Sequence, residues 1–222
     1  MSKTVYVRNL GCMKYKEAWE LQKSLSKEIY NNVVAKKIPN HRLLIVEHFP
    51  VYTTGIRAED YDKKYEEKLR ALGAEFYRTN RGGLITFHGP GQLTLYPLLH
   101  LKSFGKGIRW YVSALERTII KCLHRFSINS QTSQDTGIWI GNDKICAIGI
   151  QGRHVTTHGL SLNCNNDLTW FNHITPCGLE GKGVTSVSKV LDRNVSVQEV
   201  LPTLLKAFSE VFDADLLNES EL

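Results

Sequence analysis

Arg81-Gly82-Gly83-Leu84-Ile85-Thr86-Phe87-His88-Gly89-Pro90-Gly91-Gln92-Leu93-Thr94-Leu95-Tyr96-Pro97 decides the fold class. Two short apolar runs, 84–88 and 92–99, meet at Gly-Pro-Gly. Neither is long enough for a helix, and glycine and proline break the chain on both sides, so they read as strands joined by a tight turn. The same punctuation marks strands at 74–79 and at Arg42–His48, which Pro50 ends. Thr4–Arg8 alternates as a strand, residues 137–140 and 144–150 form a hairpin across Gly141-Asn142-Asp143, and 153–164 is a further strand. Helices fall between them. Tyr15–Val34 carries an apolar stripe at Ala18, Leu21, Leu25, Ile29 and Val33. A short helix ends at Gly73, and Ile108–Phe126 presents Val112, Leu115, Ile119, Cys122 and Phe126 on one face, which reads as core. Ser196 and Glu199 form a capping box for a C-terminal helix toward Phe212, with Pro202 expected to delay its start and the last residues expected to fray. With no repeat and no linker, residues 1–222 read as a single α/β (α+β) domain: a mixed, largely antiparallel sheet with flanking helices.

At 222 residues the chain can bury a core without staples, and 42% hydrophobic with 23% charged residues is the balance of an ordinary globular domain. Its longest apolar runs, such as Leu43-Leu44-Ile45-Val46, have strand length, so no membrane span is expected. Five scattered cysteines without a C-x-x-C pair argue against a disulfide framework or a zinc site and for a reducing compartment. A formal charge of +6 suits an acidic protein partner. Lysines and acids are interspersed along Asp62–Arg70, however, as on a solvated helix face, so nucleic acid is not expected as a partner. Lys3, Arg8, Lys14 and Lys16 precede the first acid, Glu17, a mild transit-like bias. Fold elements begin almost at once, so any cleavable segment is expected to be very short.

Two segments carry chemistry. Thr175-Pro176-Cys177-Gly178 sets a cysteine in a constrained turn, and Lys144 opens the apolar strand Ile145-Cys146-Ala147-Ile148-Gly149. Thiolate is the reactive form of cysteine, and a nearby ammonium increases its population. The plainer alternative is a buried loop cysteine and a strand-end lysine. The glycines at 82–83 and 89–91 let backbone N–H groups approach a ligand, with Arg81 and His88 as polar handles; two β-turns with a surface arginine and a satisfied histidine would look alike. No G-x-x-x-x-G-K-[ST] loop, no G-x-G-x-x-G after a first strand and no H-E-x-x-H occurs, and the histidines have no metal-ligand spacing. No cofactor, neither ATP nor a metal, is expected.

Arg81-Gly82-Gly83, Thr86, His88-Gly89-Pro90-Gly91-Gln92 and Tyr96-Pro97 together resemble the signature of the octanoyl-[acyl carrier protein]:protein octanoyltransferases, or lipoyl(octanoyl) transferases. Lys144, Thr157-His158-Gly159-Leu160-Ser161-Leu162-Asn163, Asp167-Leu168, Pro176-Cys177-Gly178 and Val184-Thr185-Ser186 follow in that family's order. Upstream, Glu47-His48, Pro50-Val51-Tyr52-Thr53 and Gly55 also fit, as do Tyr15, Ala18-Trp19 and Leu21-Gln22. Cys146-Ala147-Ile148-Gly149 and Asn163-Cys164 look closer to animal mitochondrial members than to bacterial ones. The resemblance implies a biotin/lipoate protein ligase-like catalytic fold. Cys177 would carry the acyl thioester, Lys144 would lower its pKa and act as general acid and base, and His88 would assist. The acyl site would be lined by Arg81, Gly82, Gly83, Leu84, Ile85, Thr86, Phe87 and His88, by Ala147, Ile148 and Gly149, and by Gly159, Leu160 and Ser161, the last standing where members often have Ala. Leu84, Ile85, Phe87, Ile148 and Leu160 are the apolar candidates for an acyl tunnel.

The implied reaction takes octanoyl from the phosphopantetheine arm of acyl carrier protein to a lysine of lipoyl domains, such as those of glycine cleavage H protein and 2-oxoacid dehydrogenase E2. The implied location is the mitochondrial matrix, or the cytoplasm for a bacterial chain. Two other activities fit the same cleft: an ATP-dependent lipoate-protein ligase, which would not need Cys177, and a non-catalytic module that binds acylated carrier protein. Cys12, Cys122, Cys146 and Cys164 read as packing residues.

Overall fold

The computed structural model describes residues 3–57, 61–175 and 181–219. The main sheet holds eight strands: β1 (Thr4–Met13), β2 (His41–His48), β6 (Gln92–Leu98), β7 (Ile138–Ile140), β8 (Asp143–Gly152), β9 (Thr156–Asn163), β10 (Gly183–Val184) and β11 (Asp215–Asn218). Their order is β10-β8-β9-β6-β2-β1-β11, with β7 on β8. The pairs β2–β6, β6–β9, β8–β9 and β7–β8 are antiparallel, while β1–β2, β1–β11 and β8–β10 are parallel. A three-stranded sheet of β4 (Glu75–Arg78), β3 (Val51–Thr54) and β5 (Thr86–His88) stands beside it.

Helices cover both faces of the main sheet. Strand β2 shows why: Leu43 and Ile45 enter one core with α3 (Ile108–His124) and α5 (Val197–Phe212), whereas Leu44 and Val46 meet α1 (Tyr15–Val34) on the other face. A strand buried on both sides needs the unbroken apolar run that the sequence shows. The small sheet has its own core of Tyr52, Phe76, Ile85, Phe87 and Phe171, with Leu69 from α2 (Lys63–Ala71). A short helix, α4 (Val187–Leu191), follows β10.

Several expectations need correction. Pro202 lies inside α5 and does not delay it: Ser196 caps the helix by accepting from Glu199 N, and Pro202 faces solvent, where water can satisfy the carbonyl its ring leaves free. The C-terminal residues do not all fray. Asp215–Asn218 pairs parallel with Thr4–Val7, and Asp215 N donates to Lys3 O at 3.1 Å. Strand β1 runs on past Arg8 through a register shift between Asn9 and Cys12, at which Gly11 takes φ 62°. Cys12 is exposed there, not packed. Val112, read as core, is only half-buried and faces a cleft.

Candidate active site

Strands β5, β6, β8 and β9 and the loop 81–84 enclose a narrow slot, with about 40 Å³ in which the centre of a water-sized sphere can move. Arg81, Gly83, Leu84, Thr86, His88, Ala147, Ile148, Gly149, Gly159, Leu160 and Ser161 line it. At Gly83, Leu84, Ile148 and Gly149 the slot meets a wider mouth of about 330 Å³, bordered by Ile56, Arg57, Gly82, Val112, Thr136 and Lys144. Ile85 and Phe87 are not in this cleft. Strand alternation sends Thr86 and His88 to the slot and turns their neighbours into the small sheet's core, where the Phe87 ring stacks on Trp170 at 5.0 Å. Of the tunnel candidates, Leu84, Ile148 and Leu160 remain.

The close wall of the slot depends on glycine. A Cβ on Gly159 would collide with Leu95 O of the adjacent strand, and one on Gly149 would lie 2.9 Å from Arg81 Cδ. The N–H of Gly82 is already given to Ile150 O at 2.9 Å, so among the glycines of 81–83 that group is unavailable to a ligand.

Arg81 and His88 are buried, at 6% and 7% exposure, and are not turn-edge residues. Arg81 Nη2 donates to Thr53 O (2.7 Å), Thr53 Oγ1 (2.9 Å) and Leu84 O (3.1 Å), and Nη1 donates to Gly82 O (2.9 Å). The guanidinium therefore ties the loop 81–84 to β3. His88 Nδ1 lies 2.8 Å from Gln92 Oε1 and 3.1 Å from Ser161 Oγ, and its Nε2 lies 3.3 Å from Thr53 Oγ1. Gln92 Nε2 in turn donates to Asn163 Oδ1, and Asn163 Nδ2 to Thr185 O.

Three more residues line the inner end: Tyr15, Tyr96 and His158. His48 Nε2 sits 2.7 Å from the Tyr96 hydroxyl. His158 takes φ 56°, a left-handed conformation that costs a non-glycine residue of order 1 kcal/mol and breaks the strand's alternation. It is held there by donating its N–H to Gln22 Oε1 (2.7 Å) and by Asn80 Oδ1 at 2.9 Å from its Nε2. Gln22 had a signal in the sequence, being a polar side chain on the apolar stripe of α1. The left-handed turn at His158 had none.

Burial is the main cause of every shift here. It pushes His48 down to about 4 and His158 down to about 3, and drives His88 well below the usual imidazole range, with His48 and Arg81 adding to the last. Tyr15 is pushed up to about 12 by burial, against the pull of Arg81. At neutral pH the wall thus consists of neutral rings around one guanidinium.

Lys144 belongs to the mouth and to a small side pocket with Thr86, Gln92, Phe171 and Val184. Its Nζ donates to Thr136 O at 3.2 Å and lies 4.7 Å from the centre of the Trp139 ring, which Lys182 Nζ also approaches, at 5.1 Å. Val184 pairs with Lys144, and Thr185 N donates to Lys144 O. Pro176, Cys177 and Gly178 lie outside the described residues.

The mixed sheet with helices on both faces is the catalytic fold of lipoate and biotin protein ligases. Lipoate-protein ligase A bound with ATP superposes with a TM-score of 0.65 at 17% identity, covering 100% of this chain and 91% of that one. Biotin protein ligase from Aquifex aeolicus, in complex with biotin and ATP, gives 0.55 at 14%, covering 95% and 71%. Residues 14–209 match the lipoyl protein ligase A/B catalytic domain, and the chain belongs to that family. It is 52% identical to the mitochondrial octanoyl-[acyl-carrier-protein]:protein N-octanoyltransferase of Danio rerio over 96% of this chain and 95% of that one. The human enzyme of the same name is 48% identical over 77% and 75%, and the octanoyltransferase of Christiangramia forsetii 42% over 97% and 99%.

Proposed function

We propose that the protein carries octanoyl from acyl carrier protein to a lysine of lipoyl domains by way of a thioester on Cys177, without ATP or metal. The transfer itself rests on the relatives: the chain is an octanoyltransferase of protein lipoylation, of the mitochondrial type, with acyl carrier protein as donor and a protein as acceptor. The reading adds Cys177 as nucleophile, Lys144 as proton carrier and lipoyl domains as acceptors.

The chemistry runs in two steps. The Cys177 thiolate attacks the octanoyl carbonyl; its S–C bond forms as the bond to the phosphopantetheine sulfur breaks, and the Lys144 ammonium gives that sulfur a proton. Thioester replaces thioester, so no activation by ATP is needed. The acceptor amine then attacks the same carbon. A C–N bond forms, Cys177 leaves as thiolate, and neutral Lys144 takes the surplus proton. Amide is more stable than thioester, so the second step runs downhill.

One observation carries this reading. Lys144 stands where mouth and side pocket meet, bonded among the described residues to a single carbonyl and a ring face, and chain on both sides of Cys177 borders it: Phe171 before, Val184 after. The decisive measurement is intact mass after mixing with octanoyl-acyl carrier protein. The wild type should gain one octanoyl group without ATP, and Cys177→Ala none. Full acylation of Cys177→Ala, or a requirement for free acid plus ATP, would overturn the assignment.

A further inference from the structure

Beyond the mouth of the cleft lies a second hollow, of about 390 Å³, between the start of α3 and the turn after β8. His100, Lys102, Lys106, Arg153 and His154 line it, and no acidic residue does. Lys102, Lys106 and Arg153 are exposed, and among the described residues none of them has a carboxylate at ion-pair distance. Other surface cations have carboxylate partners, as in Arg70–Glu66, Arg125–Glu210 and Arg193–Glu199. Here three cations without one border a single hollow. Burial, and then Lys102 and His154, hold the His100 imidazole below its usual value, as expected in a positive field.

The hollow neighbours the cleft. Val112 and Ile150 border the mouth, and Ile108 and Gly152 border the hollow. Residues 108 and 112 are one helical turn apart on the same face of α3, and 150 and 152 share a face of β8. The two elements meet closely, since a Cβ on Gly152 would strike the Ile108 side chain. The basic cluster therefore lies one turn of α3 and two residues of β8 beyond the mouth that Lys144 borders.

We propose that this basic hollow docks the acyl-carrier-protein donor, receiving the phosphodiester at the base of its arm and the acidic surface beside it. This rests on the octanoyl-transfer reading. The two substrates differ in the charge they bring to the mouth. The donor arm ends in a thioester at one end and a phosphodiester at the other, so a carbonyl in the slot leaves an anion beyond the mouth. The acceptor presents an ammonium, which Lys102, Lys106 and Arg153 would repel. Paired lysine and arginine donors without competing carboxylates are the chemistry that recognises phosphate.

The test is steady-state kinetics of Lys102→Glu/Lys106→Glu/Arg153→Glu with two donors. With octanoyl-acyl carrier protein, KM should rise about tenfold or more with kcat little changed, and the salt dependence of the wild type should flatten, as for charges at the rim of an interface. With octanoyl-pantetheine, which lacks the phosphate, both parameters should match wild type, as should KM for the lipoyl domain. An unchanged KM for the carrier protein, or a rise in KM for the lipoyl domain instead, overturns the proposal. Lys102→Gln/Arg153→Gln, at exposed positions, should give a smaller rise of about threefold, and decides the matter if the reversal lowers the melting temperature. If the wild type accepts octanoyl from neither donor, the transfer reading fails. The hollow is then judged by titration with holo-acyl carrier protein, which charge reversal should weaken and whose indifference to it would sink the proposal.

Discussion

The two ends of one cleft are built on opposite plans. At the inner end Tyr15, His48, Arg81, His88, Tyr96 and His158 are buried, and each has hydrogen-bond partners in place. At the mouth, Ile56 is 69% exposed, Val112 is half-buried, and Lys144 Nζ has, among the described residues, one carbonyl and a ring face. A satisfied buried network is stiff, because removing any member strands the others. A sparsely bonded ammonium is free to give and take a proton. In the proposed reaction the inner end is the fixed mould for the acyl chain, and the mouth is where charge moves. Damage to the first should appear as lost stability, and damage to the second as lost rate.

Acid attacks the first plan most strongly. Burial pushes His48 and His158 down to about 4 and 3 in the folded protein, against about 6.5 unfolded, and also His41, packed on Phe104 at the other end of β2 and further lowered by His100 and Arg42, to about 4. Below pH 6.5 the unfolded chain binds protons that the folded one refuses, so stability is full above that pH and falls as pH drops toward 4. Each group removes about 1.4 kcal/mol per pH unit over that window. At pH 5 the three together remove about 6 kcal/mol, comparable with the whole stability of an ordinary domain. Denaturant melts at pH 7.5, 6 and 5 should show this loss, and His48→Gln should flatten the slope by about one proton. A pH-independent midpoint from 7.5 to 5 would mean that water reaches the inner end.

The second plan breaks at Lys144. Lys144→Met keeps the side-chain length and removes the ammonium, so the Cys177 thiol should move toward its ordinary value of about 8.5 and alkylate more slowly at neutral pH. Losing both the thiolate's counter-charge and the proton carrier should lower kcat by about 10²–10⁴-fold with a small change in melting temperature. Lys144→Arg keeps the charge but does not readily release a proton, so it should spare alkylation more than amide formation. The same alkylation pH profile in all three proteins would remove Lys144 from any electrostatic role on the nucleophile.

Arg81 tests whether the ends are separable. Read from the sequence alone, Arg81→Ala should behave like a surface change. With the side chain buried and bonded to β3 and its own loop, it should instead cost about 3 kcal/mol or more, because the carbonyls of Thr53, Gly82 and Leu84 lose a charged donor. Turnover per folded molecule should fall as the slot's floor loosens. An unchanged melting temperature would show that the loops hold without it.

What the sequence disclosed follows the same division. Local signals were legible: the bounds of α1, the cap of Ser196, the hairpin at Gly141 and the glycine turns at 82–91 are written in neighbouring residues. Non-local pairing was not. Nothing in Val51–Thr54 announces that it will pair with both Glu75–Arg78 and Thr86–His88 to make a second sheet. That pairing decides which residues of 85–88 face the slot, so Ile85 and Phe87 could not be told from Thr86 and His88. Strand β11 was hidden for a related reason. It is short, three of its four side chains are exposed, and its leucines give no strand alternation. Glycine, lysine and cysteine point to the proposed chemistry from sequence alone, whereas Gln22, Asn80 and the turned His158 depend on contacts made only in the fold.

The smallest effect expected concerns the other thiols. Cys122, Cys146 and Cys164 are fully buried in the main core, and burial pushes their thiols up, Cys122 to about 12 and the other two further. At neutral pH such groups hold almost no thiolate, so they act as small apolar side chains. Cys146→Ala and Cys164→Ala should each cost about 1 kcal/mol, the loss of one small buried group, and retain most of the activity. Cys12 is exposed, but burial of its sulfur and the nearby Glu47 raise its pKa, which makes it a slow target. A limited dose of iodoacetamide on the native protein should therefore mark Cys177 first, Cys12 slowly, and the three core thiols only after unfolding. Peptide mapping gives that order directly. Labelling of Cys146 or Cys164 ahead of Cys177 would mean that the reactive thiol lies in the sheet, and the mouth would lose its claim to the chemistry.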